Sequence, residues 1–124
     1  MILVDTSVWI DYLRVEEARL TALLERSAVV MHPLVLGELA CGTLQNRERL
    51  LGLWRNLPSH PVVTDTEALF FLERHRLWGR GIGYIDLHLL ASVSLSGEVL
   101  LWTRDKRLRE TARLFGLAFA EADA

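Results

Sequence analysis

Apolar residues along the chain fall into two alternating rhythms. Short unbroken runs occur at Ile2-Leu3-Val4, Ala28-Val29-Val30-Met31, Val62-Val63, Val99-Leu100-Leu101-Trp102 and Leu117-Ala118-Phe119. Their length and branched content suit strands buried on both faces. Between them apolar positions recur at helical spacing: Val8, Trp9, Ile10, Tyr12 and Leu13, then Ala18, Leu20, Leu23 and Leu24 within 16–26, then Leu50, Leu51, Leu53, Trp54 and Leu57 within 47–57. Pro33 suits the first position of a helix and Gly42 its end. Thr64 and Glu67 have the spacing of a capping box, opening a helix to about residue 77. Further helices are predicted near 85–95, stopping at Gly97, and over 105–115, stopping at Gly116. Pro58 and Pro61 bracket the approach to Val62-Val63, and the tail from Glu121 to Ala124 is expected to fray. Strands separated by helices need crossover connections, so the expected fold is α/β, a mainly parallel sheet flanked by helices. No repeat or linker divides 1–124, which reads as a single domain.

Composition changes this picture little. With 124 residues, 51% hydrophobic and 24% charged, the chain has the make-up of an ordinary globular domain with a real core. The net charge of -2 advertises no basic field for nucleic acid, which leaves only local patches to supply one. The single Cys41 excludes an internal disulfide framework and a cysteine-rich metal site, and its apolar surroundings predict a small core residue. No basic leader precedes the first apolar run, which Asp5 interrupts. The uncharged stretches 27–37 and 87–97 fall short of the roughly 20 residues that a membrane span needs. A cytoplasmic protein is therefore expected.

The informative signal is where acids stand alone. Asp5 is the only charged residue in 1–10, Glu38 the only one in 27–45, and Asp86 the only one in 81–97 with His88 neutral. A carboxylate in an apolar segment is costly unless it is paired or bound to a cation. Asp105 follows the run 99–102 as Asp5 follows the run 2–4, which places both at carboxyl strand ends, where open α/β sheets carry their sites. Asp86 opens a helix at that same edge, and Glu38 lies one turn into another. Two carboxylates about 5 Å apart repel by roughly 3 kcal/mol at an effective dielectric of ~20. Four together therefore call for a cation, and an all-oxygen set selects a hard one such as Mg²⁺ or Mn²⁺. Asp5, Asp86 and Asp105 also have a plainer reading as helix N-caps. Glu38 fits no cap, since Pro33 marks the start of its helix.

Four segments carry a resemblance to a known family: Ile2-Leu3-Val4-Asp5-Thr6-Ser7; Leu36-Gly37-Glu38-Leu39-Ala40-Cys41-Gly42; Tyr84-Ile85-Asp86-Leu87-His88-Leu89-Leu90-Ala91-Ser92; and Leu101-Trp102-Thr103-Arg104-Asp105. In order, spacing and total length they resemble PIN domains, most closely VapC-type toxins of toxin–antitoxin pairs. The resemblance implies a five-stranded parallel sheet of Rossmann-like form and Mg²⁺- or Mn²⁺-dependent cleavage of RNA. It further implies a 5′-phosphate product, a homodimer and inhibition by a cognate antitoxin. By position Asp5, Glu38, Asp86 and Asp105 correspond to the acidic quartet. Asp5, Asp86 and Asp105 would hold metal, and Glu38 would orient water or support a second ion. Thr6, Ser7 and Thr103 correspond to supporting hydroxyls.

Substrate contact needs positive charge around such a cleft. Arg104, Lys106 and Arg107, with Arg109 and Arg113, cluster about the last helix, and Arg80 follows Arg74 and Arg76 ahead of the third acid. These are candidates to track a phosphate backbone, and a solvated helix face is the alternative. His88 falls two residues after Asp86 and so points away from it on a helix, as a core or interface residue. His32, His60 and His75 carry little signal, and Trp9, Trp54, Trp78 and Trp102 suit core or interface positions. Two rival functions are a catalytically silent RNA- or protein-binding module of the same fold and a phosphatase with Asp5 as nucleophile. An intact quartet argues against the first. Ser7, where a second acid would be needed, argues against the second.

Overall fold

A computed structural model describes residues 1–121 of the chain. The elements run β1 (Ile2–Val4), α1 (Thr6–Arg14), α2 (Ala18–Glu25), β2 (Val29–Val30), α3 (Pro33–Ala40), α4 (Arg47–Arg55), α5 (Asp65–His75), α6 (Tyr84–Ser96), β3 (Leu100–Trp102) and α7 (Lys106–Leu114). The sheet has the order β2-β1-β3 and is parallel throughout, with Leu3 opposite Val30 and Val4 opposite Trp102. β1 is buried along its whole length, which is why it reads as an unbroken aliphatic run.

The sheet has 3 strands, not five. The run Val62-Val63 does not pair. The edge contact comes earlier, where Met31 N–H donates to Pro58 O at 2.8 Å and His60 N–H to Met31 O at 2.8 Å, a single parallel bridge at Ser59. Pro58 and Pro61 remove donors on either side, so the pairing does not extend. On the far edge Ala118 bridges Leu101, through Leu101 N–H to Leu117 O and Phe119 N–H to Leu101 O. Both outer segments are thus reduced to one-residue contacts with the sheet.

The helices follow their caps. Thr64 and Glu67 form the capping box of α5 reciprocally, at 3.1 and 2.9 Å. α5 ends two residues before the expected 77 because Arg76 turns to φ +53°. α6 runs beneath the site, with every residue from Leu87 to Val93 buried. A helix apolar all round belongs in the core. Cys41 departs from expectation and is exposed. α3 buries Val35 and Leu39, and Cys41 lies two residues beyond, off that face. Of the tryptophans, Trp9, Trp54 and Trp102 are buried, and Trp78 is exposed.

The histidines matter more to the core than their sequence context suggests. His32 is fully buried and caps α3, its Nδ1 accepting from Leu34 N–H at 3.1 Å while Nε2 meets Ser92 Oγ at 3.2 Å. Desolvation, with His60 and His88 nearby, holds its pKa down to about 4. His88 is buried and reaches Asp65 at 2.9 Å, in line with a structural role. Residues 122–124 lie outside the described region, but Glu121, expected to fray with them, is held by Trp102 and Arg104.

Candidate active site

The parallel register of β1 and β3 sets the centre. Val4 pairs with Trp102, and Asp5 N–H donates to Trp102 O at 2.9 Å, so Asp5 and Thr103 leave the sheet side by side. Thr103 Oγ1 donates to Asp5 Oδ2 at 2.7 Å, and Ser7 Oγ to the same oxygen at 3.0 Å. Oδ1 is left without a protein donor among the described residues. Asp5 occupies the N-cap position of α1 and yet its side chain makes no cap hydrogen bond. The plainer reading therefore does not account for it. It is buried, 6% exposed, with both hydroxyl partners on one oxygen.

The other acids reach the same edge from three further segments. Asp86 is half-buried, and its Oδ2 accepts from Gly83 N–H at 3.1 Å, tying it to the start of α6. Burial pushes its pKa up. The Gly83 N–H opposes this, and the charges of Asp5, Asp105 and Glu38 each push it further up. The charges that act on Asp86 thus come from three other segments of the chain. Asp105 is exposed and does cap α7, Oδ1 accepting from Leu108 N–H at 2.9 Å, which leaves Oδ2 outside the cap. Its own N–H donates to Thr103 Oγ1 at 3.1 Å, so one hydroxyl links Asp5 and Asp105. Glu38 is exposed, not buried as its apolar neighbours suggested, because it lies off the Val35–Leu39 face of α3. Its Oε1 accepts from Thr6 Oγ1 at 2.8 Å.

The donor set fits a hard divalent cation. It is all oxygen, and among the described residues none of the four acids has a Lys, Arg or His partner to compete with an ion. The shell is not closed in advance. No three acid, His or Cys side chains among the described residues already stand as ligands, since Asp86 and Asp105 are turned to backbone N–H groups and Glu38 to Thr6.

The basic candidates separate into two kinds. Arg104 does not face a substrate. Its Nη1 reaches Asp11 at 2.8 Å, Nη2 reaches Glu17 at 2.5 Å and Nε reaches Glu121 at 2.7 Å, with Trp102 beneath the guanidinium. Partial burial works against its charge, but the hydrogen bonds it donates to Asp11, Glu121 and Glu17 overcome this and raise its pKa. Its fork is fully taken up inside the fold. Arg80, Lys106 and Arg107 are exposed and have no carboxylate partner among the described residues. Sequence reasoning missed the Arg104 cluster because its acids come from α1, the cap of α2 and the last described residue, with no common period.

With this geometry in hand, likeness to known proteins can be weighed. Residues 2–114 match the PIN domain family model. Over 121 residues, 98% of each chain, the protein is 52% identical to Ribonuclease VapC32 of Mycobacterium tuberculosis, in strain CDC 1551 / Oshkosh and in strain ATCC 25618 / H37Rv. The acids and hydroxyls that meet at the sheet edge all lie inside the matched span, and the chain belongs to the PIN domain family, of the VapC type.

Proposed function

We propose that the protein is an endoribonuclease, the toxin of a toxin–antitoxin pair, that hydrolyses RNA phosphodiester bonds with Mg²⁺ or Mn²⁺ at the quartet Asp5, Glu38, Asp86 and Asp105. The observation that carries this is the 52% identity to Ribonuclease VapC32 over 98% of both chains, together with four carboxylates that have no basic side-chain partner among the described residues. Structure alone gives no reason to gather unpaired like charges, and metal-assisted chemistry does.

Asp5, Asp86 and Asp105 would hold the ion. When bound, it neutralises charge on the phosphate and acidifies water. The protein's own part is orientation. The Ser7 and Thr103 hydroxyls fix one oxygen of Asp5 and leave the other without a donor among the described residues. Thr6 holds Glu38 at 2.8 Å, placing a carboxylate that can take a proton from the attacking water. Attack on the phosphorus then leaves a 5′-phosphate and a 3′-hydroxyl. Arg80, Lys106 and Arg107 line the approach as the RNA-facing cations.

An antitoxin and a second copy of the chain are the partners in this reading. Two apolar surfaces serve them. One is the groove of Tyr12, Leu13, Leu44, Leu50 and Leu53 between α1 and α4, and the other is the α5–α6 face of Phe70, Phe71 and Leu95. No helix of the described residues is long and apolar enough to cross a membrane, and action on cellular RNA places the protein in the cytoplasm.

The test is cleavage of structured RNAs with Mg²⁺, Mn²⁺ or EDTA, by the wild type and by Asp5→Asn and Asp86→Asn. Cleavage should require the ion and be lost in both variants. Equal cleavage by all three proteins would remove the enzyme reading.

A further inference from the structure

The loop Gly79-Arg80-Gly81-Ile82-Gly83 joins α5 to α6 and ends on the N–H that Asp86 accepts. Gly79 and Gly81 both lie at positive φ, +76° and +80°. Their surroundings differ. A Cβ on Gly79 would meet nothing, whereas one on Gly81 would collide with Cδ, Cζ and Nη1 of Arg107. Arg107, two residues after Asp105, therefore lies directly across the bare Cα of Gly81. Its side chain spans from the helix that Asp105 caps to the loop that leads into Asp86.

The guanidinium seated there is exposed and makes no hydrogen bond or ion pair with a carboxylate among the described residues, unlike that of Arg104. A cation paired with the quartet would compete with a metal ion. A cation that lies across the bare Cα of Gly81 with no carboxylate partner is free to meet an anion that arrives with the substrate. The planar fork of arginine matches two phosphate oxygens at once. Lys106 and Arg80 are exposed as well.

We propose that Arg107 binds a backbone phosphate of the RNA next to the scissile one, and that Gly81 is the positioning residue that seats it. This rests on the ribonuclease reading above and assigns the glycine-rich loop to substrate register. Lys106 and Arg80 then supply only the diffuse field common to nucleic-acid binders.

The experiment measures binding of a labelled pool of single-stranded RNA by fluorescence anisotropy over a range of salt, with the full chain carrying Asp5→Asn, alongside cleavage kinetics with Asp5 intact. Arg107→Gln should weaken binding about tenfold and lower the slope of log K against log salt by about 0.7, one phosphate contact to a single strand. In the active protein it should raise KM with little change in kcat. Arg107→Lys should restore the slope but only part of the affinity. Gly81→Ala should reproduce the loss, while Gly79→Ala, with the same backbone strain and no neighbour, should not. The double variant Arg107→Gln/Gly81→Ala should be no worse than Arg107→Gln alone. An unchanged salt slope in Arg107→Gln, or equal effects of Gly79→Ala and Gly81→Ala, would overturn the assignment while leaving the quartet standing. Undiminished cleavage by Asp5→Asn would instead overturn the ribonuclease reading.

Discussion

Two groups of carboxylates flank the segment Thr103–Asp105, and they are built on opposite plans. On one side Asp11, Glu17 and Glu121 close around Arg104, each within 2.8 Å of a guanidinium nitrogen. On the other Asp5, Glu38, Asp86 and Asp105 have no cation paired to any of them among the described residues, and burial, with the charges of the other three, pushes the pKa of Asp86 up. The first group satisfies its charge inside the fold and is complete. The second has hydroxyl and backbone donors in place of a counter-charge, which orient carboxylates without neutralising them. Acids that a fold completes serve its stability. Acids that it orients and leaves charged serve something that arrives from outside.

The sharpest way to break this contrast is to neutralise one member of each group. Asp5→Asn keeps oxygen acceptors for Ser7 and Thr103 and removes a repelling charge. Cleavage should fall by about 10³-fold or more, the equivalent of ~4 kcal/mol of transition-state stabilisation. The melting temperature in EDTA should hold or rise. A large drop in melting temperature would mean that Asp5 is structural after all.

Arg104→Gln should do the reverse. It leaves three carboxylates around a neutral amide, and the pair energies are moderated because the side chain is 25% exposed. A loss of about 2 kcal/mol in urea unfolding is expected. Divalent-ion binding by calorimetry should change far less than in Asp5→Asn. If Arg104→Gln instead abolished ion binding at full stability, the division between the two groups would be wrong.

Much of this arrangement is legible in the sequence, though not always for the reason that first suggests it. The strands at 2–4 and 99–102 announce themselves as aliphatic runs, and their ends deliver Asp5 and Asp105. Solitude in an apolar stretch is what singles out Glu38 and Asp86 as candidates for the group. The inference from solitude to burial holds fully only for Asp5, because one face of a short helix is open and Glu38 occupies it. Cys41 shows the same error, an apolar neighbourhood in sequence that turns to solvent at a helix end. The Arg104 cluster is invisible beforehand, since 93 and 87 residues separate Arg104 from Asp11 and Glu17. The strand expected at Val62-Val63 fails for a different reason. Pro58 and Pro61 withhold the donors that a longer ladder would need.

Thr103 joins two members of the second group and gives a graded test. Its Oγ1 donates to Asp5 and accepts from Asp105 N–H. Thr103→Val keeps the shape and deletes both bonds, so about 1 kcal/mol of stability should be lost. Ion binding should weaken about fivefold, a cost of roughly 1 kcal/mol. Ser7→Ala loses a longer bond to the same oxygen and the one from Arg104 N–H, so it should weaken ion binding less than Thr103→Val at a similar cost in stability.

The smallest effect is one of sign. The hydrogen bond from Arg104 holds the pKa of Glu17 down. For Glu121 burial acts upward, but Arg104 and Trp102 prevail and lower it. Stability from these glutamates is present above the ordinary value of 4.5 and is lost as pH falls through their lowered values. Asp86 is raised, chiefly by burial, so its contribution is present below the ordinary value of 3.8 and is lost as pH rises through its raised value. In EDTA, stability measured against pH should therefore move in opposite directions for two conservative variants. Asp86→Asn should gain on the wild type as pH climbs from about 4, because the wild type must ionise a carboxyl among three others. Glu121→Gln should fall behind as pH climbs toward 4.5 and keep that deficit above it, because the wild type gains an ion pair that the variant lacks. Adding Mn²⁺ should cancel the advantage of Asp86→Asn, since an ion that binds only the folded quartet stabilises the wild type, and it should leave the Glu121→Gln deficit in place. Two variants that moved together with pH, or a deficit at Glu121 that manganese erased, would mean that the carboxylates form one electrostatic unit and not two.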